Sequence, residues 1–211
     1  MLNEQKLISG LTKTIENAAS LFNDATLLTE NERYARAYTL FQLSIEEAGK
    51  SLILYNCILE FFQGKEIDKN HLDKKGYRDH KSKTKESLKL ELTALLLFRD
   101  SGNGNDISDL LDELVKDSKS INQKNNQKNA SLYVSLIGSN FIAPNESISK
   151  SDVSKIAETA LIRLKLIEAY SKEVLNNLDR TKKLADGLKN IENDPKLELE
   201  YKEKINKWIN E

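Results

Sequence analysis

From Asn31 to Phe62 the chain runs without a proline, and apolar side chains fall on almost every side of it. At ~100° per residue, Tyr38, Phe41, Ile45, Ala48, Leu52, Tyr55 and Leu59 share one helical stripe, while Leu40, Leu43, Ile53, Leu54 and Ile58 occupy the far side. A helix that is apolar nearly all round is buried on most sides. The segment therefore predicts the most buried member of a helical bundle.

Glu46, Glu47 and Lys50 interrupt that helix in its middle. Charges among apolar side chains are costly to desolvate unless paired. Pairing within the helix is one account, since Glu46 to Lys50 is an i,i+4 pair and Glu47 to Lys50 an i,i+3 pair. The other is a polar site or a subunit interface, in which Lys50 meets an anion and the carboxylates orient a neighbouring base.

The remaining elements follow from periodicity and breakers. A first helix is expected from about Asn3 to Leu28, carrying Leu7, Leu11, Ile15, Ala18, Phe22 and Ala25, and it forms an antiparallel hairpin with the second. A polar connection covers Lys65 to Lys83, and a third helix runs from about Thr84 to Arg99. Ser101 to Asn105 breaks it, and a fourth helix runs from Asp106 to about Ser118. The polar run Asn122 to Asn129 reads as an exposed loop, and Leu132 to Ile137 as an extended loop packed on the bundle. Ser151 or Asp152 can cap a fifth helix reaching about Leu178, and after Asp194-Pro195 a last helix carries Ile205, Trp208 and Ile209.

Balance among charges excludes one class of function. The 32 Lys and Arg against 33 Asp and Glu argue against coating nucleic acid by bulk charge and leave only a local patch. No stretch is long and apolar enough to span a membrane, and Met1 to Gly10 lacks the pattern of a signal peptide. A cytoplasmic protein is expected. Cys57, the single cysteine, lies in the apolar second helix and reads as a core thiol.

The local patch lies between Asp68 and Lys85, where seven basic residues outweigh three acidic ones for a net +4. It contains both histidines of the chain, His71 and His80. His71 reads as part of a solvated basic loop. His80 stands next to the third helix between Arg78 and Lys81, where an imidazole can move protons and its cationic neighbours can hold a phosphate. No HxxxH spacing and no cysteine partner accompanies His80, so a metal centre is not expected there.

Three segments together resemble a known family: Ala37 with Glu46-Glu47-Ala48-Gly49-Lys50, then Tyr77-Arg78-Asp79-His80-Lys81-Ser82-Lys83, then Lys128-Asn129-Ala130-Ser131-Leu132-Tyr133-Val134 followed by Pro144. In this order and spacing they are similar to the AbiV family of bacterial abortive-infection proteins, over about residues 10 to 180. The resemblance implies membership of the HEPN superfamily, whose helical bundles often dimerise and act as metal-independent ribonucleases. It implies an all-α, HEPN-like bundle of about five to six helices with an irregular loop between the fourth and fifth. Residues 1–180 would form the AbiV-like domain, and 181–211 a C-terminal helical extension packed on the bundle.

The superfamily's usual signature is an Arg followed after four to six residues by a His. Here Arg78 is two positions before His80, and Lys75 fills the slot with four intervening residues, so that role passes to Arg78, to Lys75 or to neither. On this resemblance the chain would be an anti-phage endoribonuclease, without a cofactor, working as a homodimer on RNA once a phage-encoded protein activates it. His80 would be the general acid or base. Arg78, Lys81 or Lys50 would stabilise charge on the phosphate, Glu46 or Glu47 would orient His80 or Lys50, and Lys81, Lys83 and Lys75 would bind substrate. The rival expectation is a non-catalytic protein- or nucleotide-binding module that inhibits by sequestration.

Overall fold

The computed structural model describes residues 1–98, 121–194, 196 and 199. They form α1 (Glu4–Glu30), α2 (Tyr34–Phe62), α3 (Lys69–Lys74), α4 (His80–Phe98), α5 (Ile121–Leu132), the strands β1 (Ser135–Ile137) and β2 (Asn140–Ile142), α6 (Pro144–Ser147), α7 (Lys150–Asn176) and α8 (Leu178–Asn193). The fold is an all-α bundle with one small hairpin.

α1 starts where Asn3 accepts a hydrogen bond from the Lys6 N–H at 3.0 Å, an N-cap that satisfies one of the helix's free donors. It lays Leu7, Leu11, Ala18 and Ala25 along α2. α2 is the central helix. Ala37, Phe41 and Ile45 pack with Ala25 of α1 and with Val153, Ile156 and Ala160 of α7. Ala48 and Leu52 meet Leu90, Leu164 and Ile167, and farther along Ile53, Leu54, Cys57 and Ile58 meet Leu7, Leu11, Ile67 and Leu72. Each fully buried Leu, Ile, Val or Phe among these contributes about 1.5–3 kcal/mol. With apolar contacts on so many sides, α2 organises the bundle as its sequence predicts.

One residue sets how closely α4 approaches. A Cβ on Gly49 would lie 1.8 Å from the Lys83 carbonyl oxygen, so only glycine lets the two backbones touch there. This contact lies one turn beyond Glu46 and draws the first turn of α4 alongside that carboxylate. One turn on, α4 is held by the fully buried Arg163 of α7, whose Nη1 donates to Ser87 Oγ at 2.9 Å.

Several boundaries differ from those expected. The helix expected from about Thr84 begins at His80, because Asp79 accepts from the Ser82 N–H at 2.6 Å and starts it a turn earlier. The connection before it contains α3, capped by Asp68 on the His71 N–H at 2.7 Å. The run Asn122 to Asn129 is not an exposed loop but most of α5, with Lys128 and Ser131 buried. Leu132 to Ile137 is not a loop packed on the bundle: Ser135 to Ile137 pair antiparallel with Asn140 to Ile142 across a turn opened by Gly138 at φ +63°, and Leu136, Ile137 and Phe141 are exposed. α7 is capped by Ser149, with Asp152 reciprocating, rather than by Ser151 or Asp152. The expected helix Asp106 to Ser118 and the terminal helix with Ile205, Trp208 and Ile209 lie outside the described residues.

Candidate functional site

Glu46 is the focus of the polar network. Its side chain is 2% exposed, with Oε2 2.5 Å from His80 Nδ1 and Oε1 2.8 Å from Lys128 Nζ. Lys83 Nζ adds a third contact, 3.6 Å from Oε2. Both lysines are buried. A carboxylate taken this far from water needs such partners, because an uncompensated buried charge costs several kcal/mol.

Three elements supply these side chains, each fixed by its own hydrogen bonds. Gln42 of α2 donates to Thr84 Oγ1 at 3.1 Å, and Thr84 in turn donates to the His80 carbonyl at 3.1 Å, tying the first turn of α4 to α2. Asp79 caps that turn, and hydrogen bonds from the Ser82 hydroxyl and N–H hold its carboxyl below the usual range. On α5, the Ser131 hydroxyl donates to the Lys128 carbonyl at 2.6 Å and lies 2.5 Å from Thr39 Oγ1. Tyr38 donates to Gln127 at 2.9 Å, and burial, with the Asp152 charge adding to it, pushes the Tyr38 hydroxyl up to about 12.

His80 itself reaches the surface, with its side chain 57% exposed. A carboxylate only accepts hydrogen bonds, so Nδ1 facing Glu46 is the donor, and Nε2 has no partner among the described residues. A buried acid that fixes the tautomer and ring orientation of an accessible imidazole is the arrangement used by general acid–base catalysts.

The other expected residues fall into three groups. Glu47 and Lys50 pair with each other, the intrahelical account of that trio, and Lys50 also lies over the Tyr77 ring, 5.2 Å from its centroid. Burial raises the Tyr77 hydroxyl, with Lys50 pulling against it and Glu47 adding to it. Arg78 and Lys81 flank His80 in sequence and are exposed, Arg78 lying 3.7 Å from Asp73. Lys75 stands apart. It binds Glu60 at 2.7 Å, and Glu60 lies fourteen residues beyond Glu46, about 21 Å along α2 at ~1.5 Å per residue.

Lys128 was not among the site residues expected from sequence. Its signal was weak but present: Lys128 and Ser131 stand at the i,i+3 spacing of one helical face and are the buried positions of this polar segment.

Fold and site together define a helical-bundle domain with a surface histidine anchored on a buried glutamate. Residues 6–165 match the family HEPN_AbiV, described as AbiV, and the chain belongs to that family. The match runs from α1 into α7 and includes Glu46, His80, Lys83 and Lys128. Membership points to an abortive-infection, anti-phage role. No curated protein and no solved structure matches the chain. Among the described residues no helix is long and apolar enough to cross a membrane.

Proposed function

We propose that this chain acts in abortive infection as a metal-independent endoribonuclease with His80 as its acid–base residue. The observation that carries the reading is the exposed His80 imidazole held through Nδ1 by the buried Glu46 carboxylate. In this reaction a ribose 2′-hydroxyl gives its proton to an imidazole nitrogen and its oxygen attacks the adjacent phosphorus. The bond to the 5′ oxygen breaks, that oxygen takes up a proton from an imidazolium, and the products are a 2′,3′-cyclic phosphate and a 5′-hydroxyl. Arg78 and Lys81, exposed on either side of His80, supply the positive charge for the developing phosphorane.

The family resemblance favours a homodimer, in which two such sites meet and a second imidazole acts as the opposite member of the acid–base pair. A phage-encoded protein would be the activator, and the site would stand in a cytoplasmic enzyme needing no cofactor. The helices beyond residue 180 would serve as an extension packed on the bundle; buried Ala185, whose carbonyl accepts from Gln63 at 3.4 Å, supports that reading.

One observation favours the rival, a protein- or nucleotide-binding module. The Arg-to-His spacing of HEPN ribonucleases is missing, and Lys75 in that slot is committed to Glu60. The two readings part on one experiment: mapping RNA ends in phage-infected cells that express the wild-type chain or His80→Ala. New ends bearing cyclic phosphate in the wild type alone support the enzyme. Full protection by His80→Ala overturns it in favour of the binding module.

A further inference from the structure

The second histidine of the chain faces the other end of α2. Cys57 and Glu60, three residues apart on α2, and His71 of α3 bring a thiol sulfur, a carboxylate oxygen and an imidazole nitrogen within 4.8 Å of one another. His71 Nε2 lies 2.7 Å from Glu60 Oε2, and Lys75 Nζ lies 2.7 Å from the other carboxylate oxygen, Oε1. The His71–Glu60–Lys75 chain is complete as a charge network. It does not account for a fully buried thiol within 4.8 Å of both.

We infer that Cys57 Sγ, Glu60 Oε2 and His71 Nε2 form a zinc site, with water as the fourth ligand. Zinc bonds of ~2.0–2.3 Å at tetrahedral angles place such donor atoms about 3.3–3.6 Å apart. The histidine and carboxylate must therefore separate by under about 1 Å while the sulfur closes in, movements within the reach of side-chain torsions. Lys75 keeps its hydrogen bond to Oε1 and becomes the outer partner that orients the carboxylate. Thiolate with imidazole selects zinc over magnesium or calcium, which prefer oxygen alone.

Burial and the nearby Glu60 charge push the Cys57 thiol up to about 11, with Lys75 acting in the opposite direction. A bound dication reverses that balance: zinc takes the proton's place on sulfur, and the proton passes to water. The metal then ties α3 to α2 at the start of the segment that leads through Gly76 and Asp79 into His80. Its two ligands on α2 stand about 16 Å and about 21 Å along the helix from Glu46, at ~1.5 Å per residue, and the site does not depend on the proposed reaction.

The test is cobalt titration of the full chain after chelator treatment. The expected result is one equivalent of cobalt with a sulfur-to-metal charge-transfer band, displaced by zinc. Because Cys57 is the single cysteine, that band reports this site. Cys57→Ser should lack the band, and His71→Ala, which alters a partly exposed side chain and should fold, should bind at least tenfold more weakly. Zinc should raise the thermal midpoint of the wild type and leave that of His71→Ala unchanged. Absence of the band in the wild type, or equal cobalt affinity in His71→Ala, overturns the site.

Discussion

Two glutamates of α2 each hold one of the chain's two histidines, and the two clusters differ in how unevenly acid and imidazole are buried. At Glu46 the acid is 2% exposed and the imidazole 57%. At Glu60 the values are 17% and 26%, and the lysine that completes the cluster, Lys75, is 41% exposed where Lys128 is 7%. The first arrangement sinks a fixed charge into the bundle and presents a ring to solvent. The second turns its ring inward beside a thiol. Similar residues thus give an outward site suited to reaction and an inward one suited to holding elements together.

The largest contrast should appear in activity. His80→Ala is expected to reduce RNA cleavage and phage protection by about 10²–10⁴-fold, the usual worth of a general acid–base group, with little change in thermal midpoint. His71→Ala should leave cleavage within a few-fold of wild type. Equal losses in both variants, measured in the same plaque assay, would erase the distinction between the clusters.

Stability should reverse the emphasis from the histidines to the lysines. Lys128→Met leaves the buried Glu46 carboxylate with the His80 hydrogen bond and the more distant Lys83 as its only cation among the described residues, and should cost about 3 kcal/mol in urea unfolding. Lys75→Met, at an exposed pair, should cost under about 1 kcal/mol. Comparable costs would mean that burial does not separate the two glutamates.

Gly49→Ala tests how the first cluster is assembled. Its Cβ must displace the Lys83 carbonyl, so a cost of about 1–3 kcal/mol is expected together with lost cleavage, since α4 carries His80 outward with it. Wild-type activity in that variant would show that the close approach does not position His80.

The smallest effect concerns the cap. Hydrogen bonds from Ser82 lower the Asp79 carboxyl, so its contribution is fully present above the ordinary Asp value, near pH ~4, and is lost as pH falls through the lowered folded value. Asp79→Ala should cost about 1 kcal/mol at neutral pH, and the difference from wild type should vanish in strong acid. A difference that persists in acid would assign the effect to something other than the charged cap.

The core was legible because apolar periodicity reports burial directly, and α1, α2 and α7 carry it plainly. The pairing of Glu46 with the segment around His80 was also legible, since a charge in an apolar helix demands a partner and the basic patch was the nearest source. α5 was not. Its inward side chains, Lys128 and Ser131, are polar and satisfied by Glu46 and Thr39, so the segment has the composition of a loop while packing as a helix. The hairpin escaped for a related reason: Gly138-Ser139 between Leu136-Ile137 and Phe141-Ile142 is a turn signal, but exposed Leu136, Ile137 and Phe141 read as core. The division of Glu46 from Glu47 and Lys50 depended on where α4 crosses, which Gly49 decides through space rather than through pattern.

Lys128 follows Glu46 by 82 residues, whereas His80 follows it by 34. During synthesis the growing polypeptide therefore carries the acid and the imidazole well before their buried counter-cation has been made. Until then Glu46 lacks its closest cationic partner, and α4 has no α5 to close over it. A chain whose finished form is expected to harm its own cell thus acquires an ordered centre late, and a product truncated before α5 carries the acid and the imidazole without Lys128.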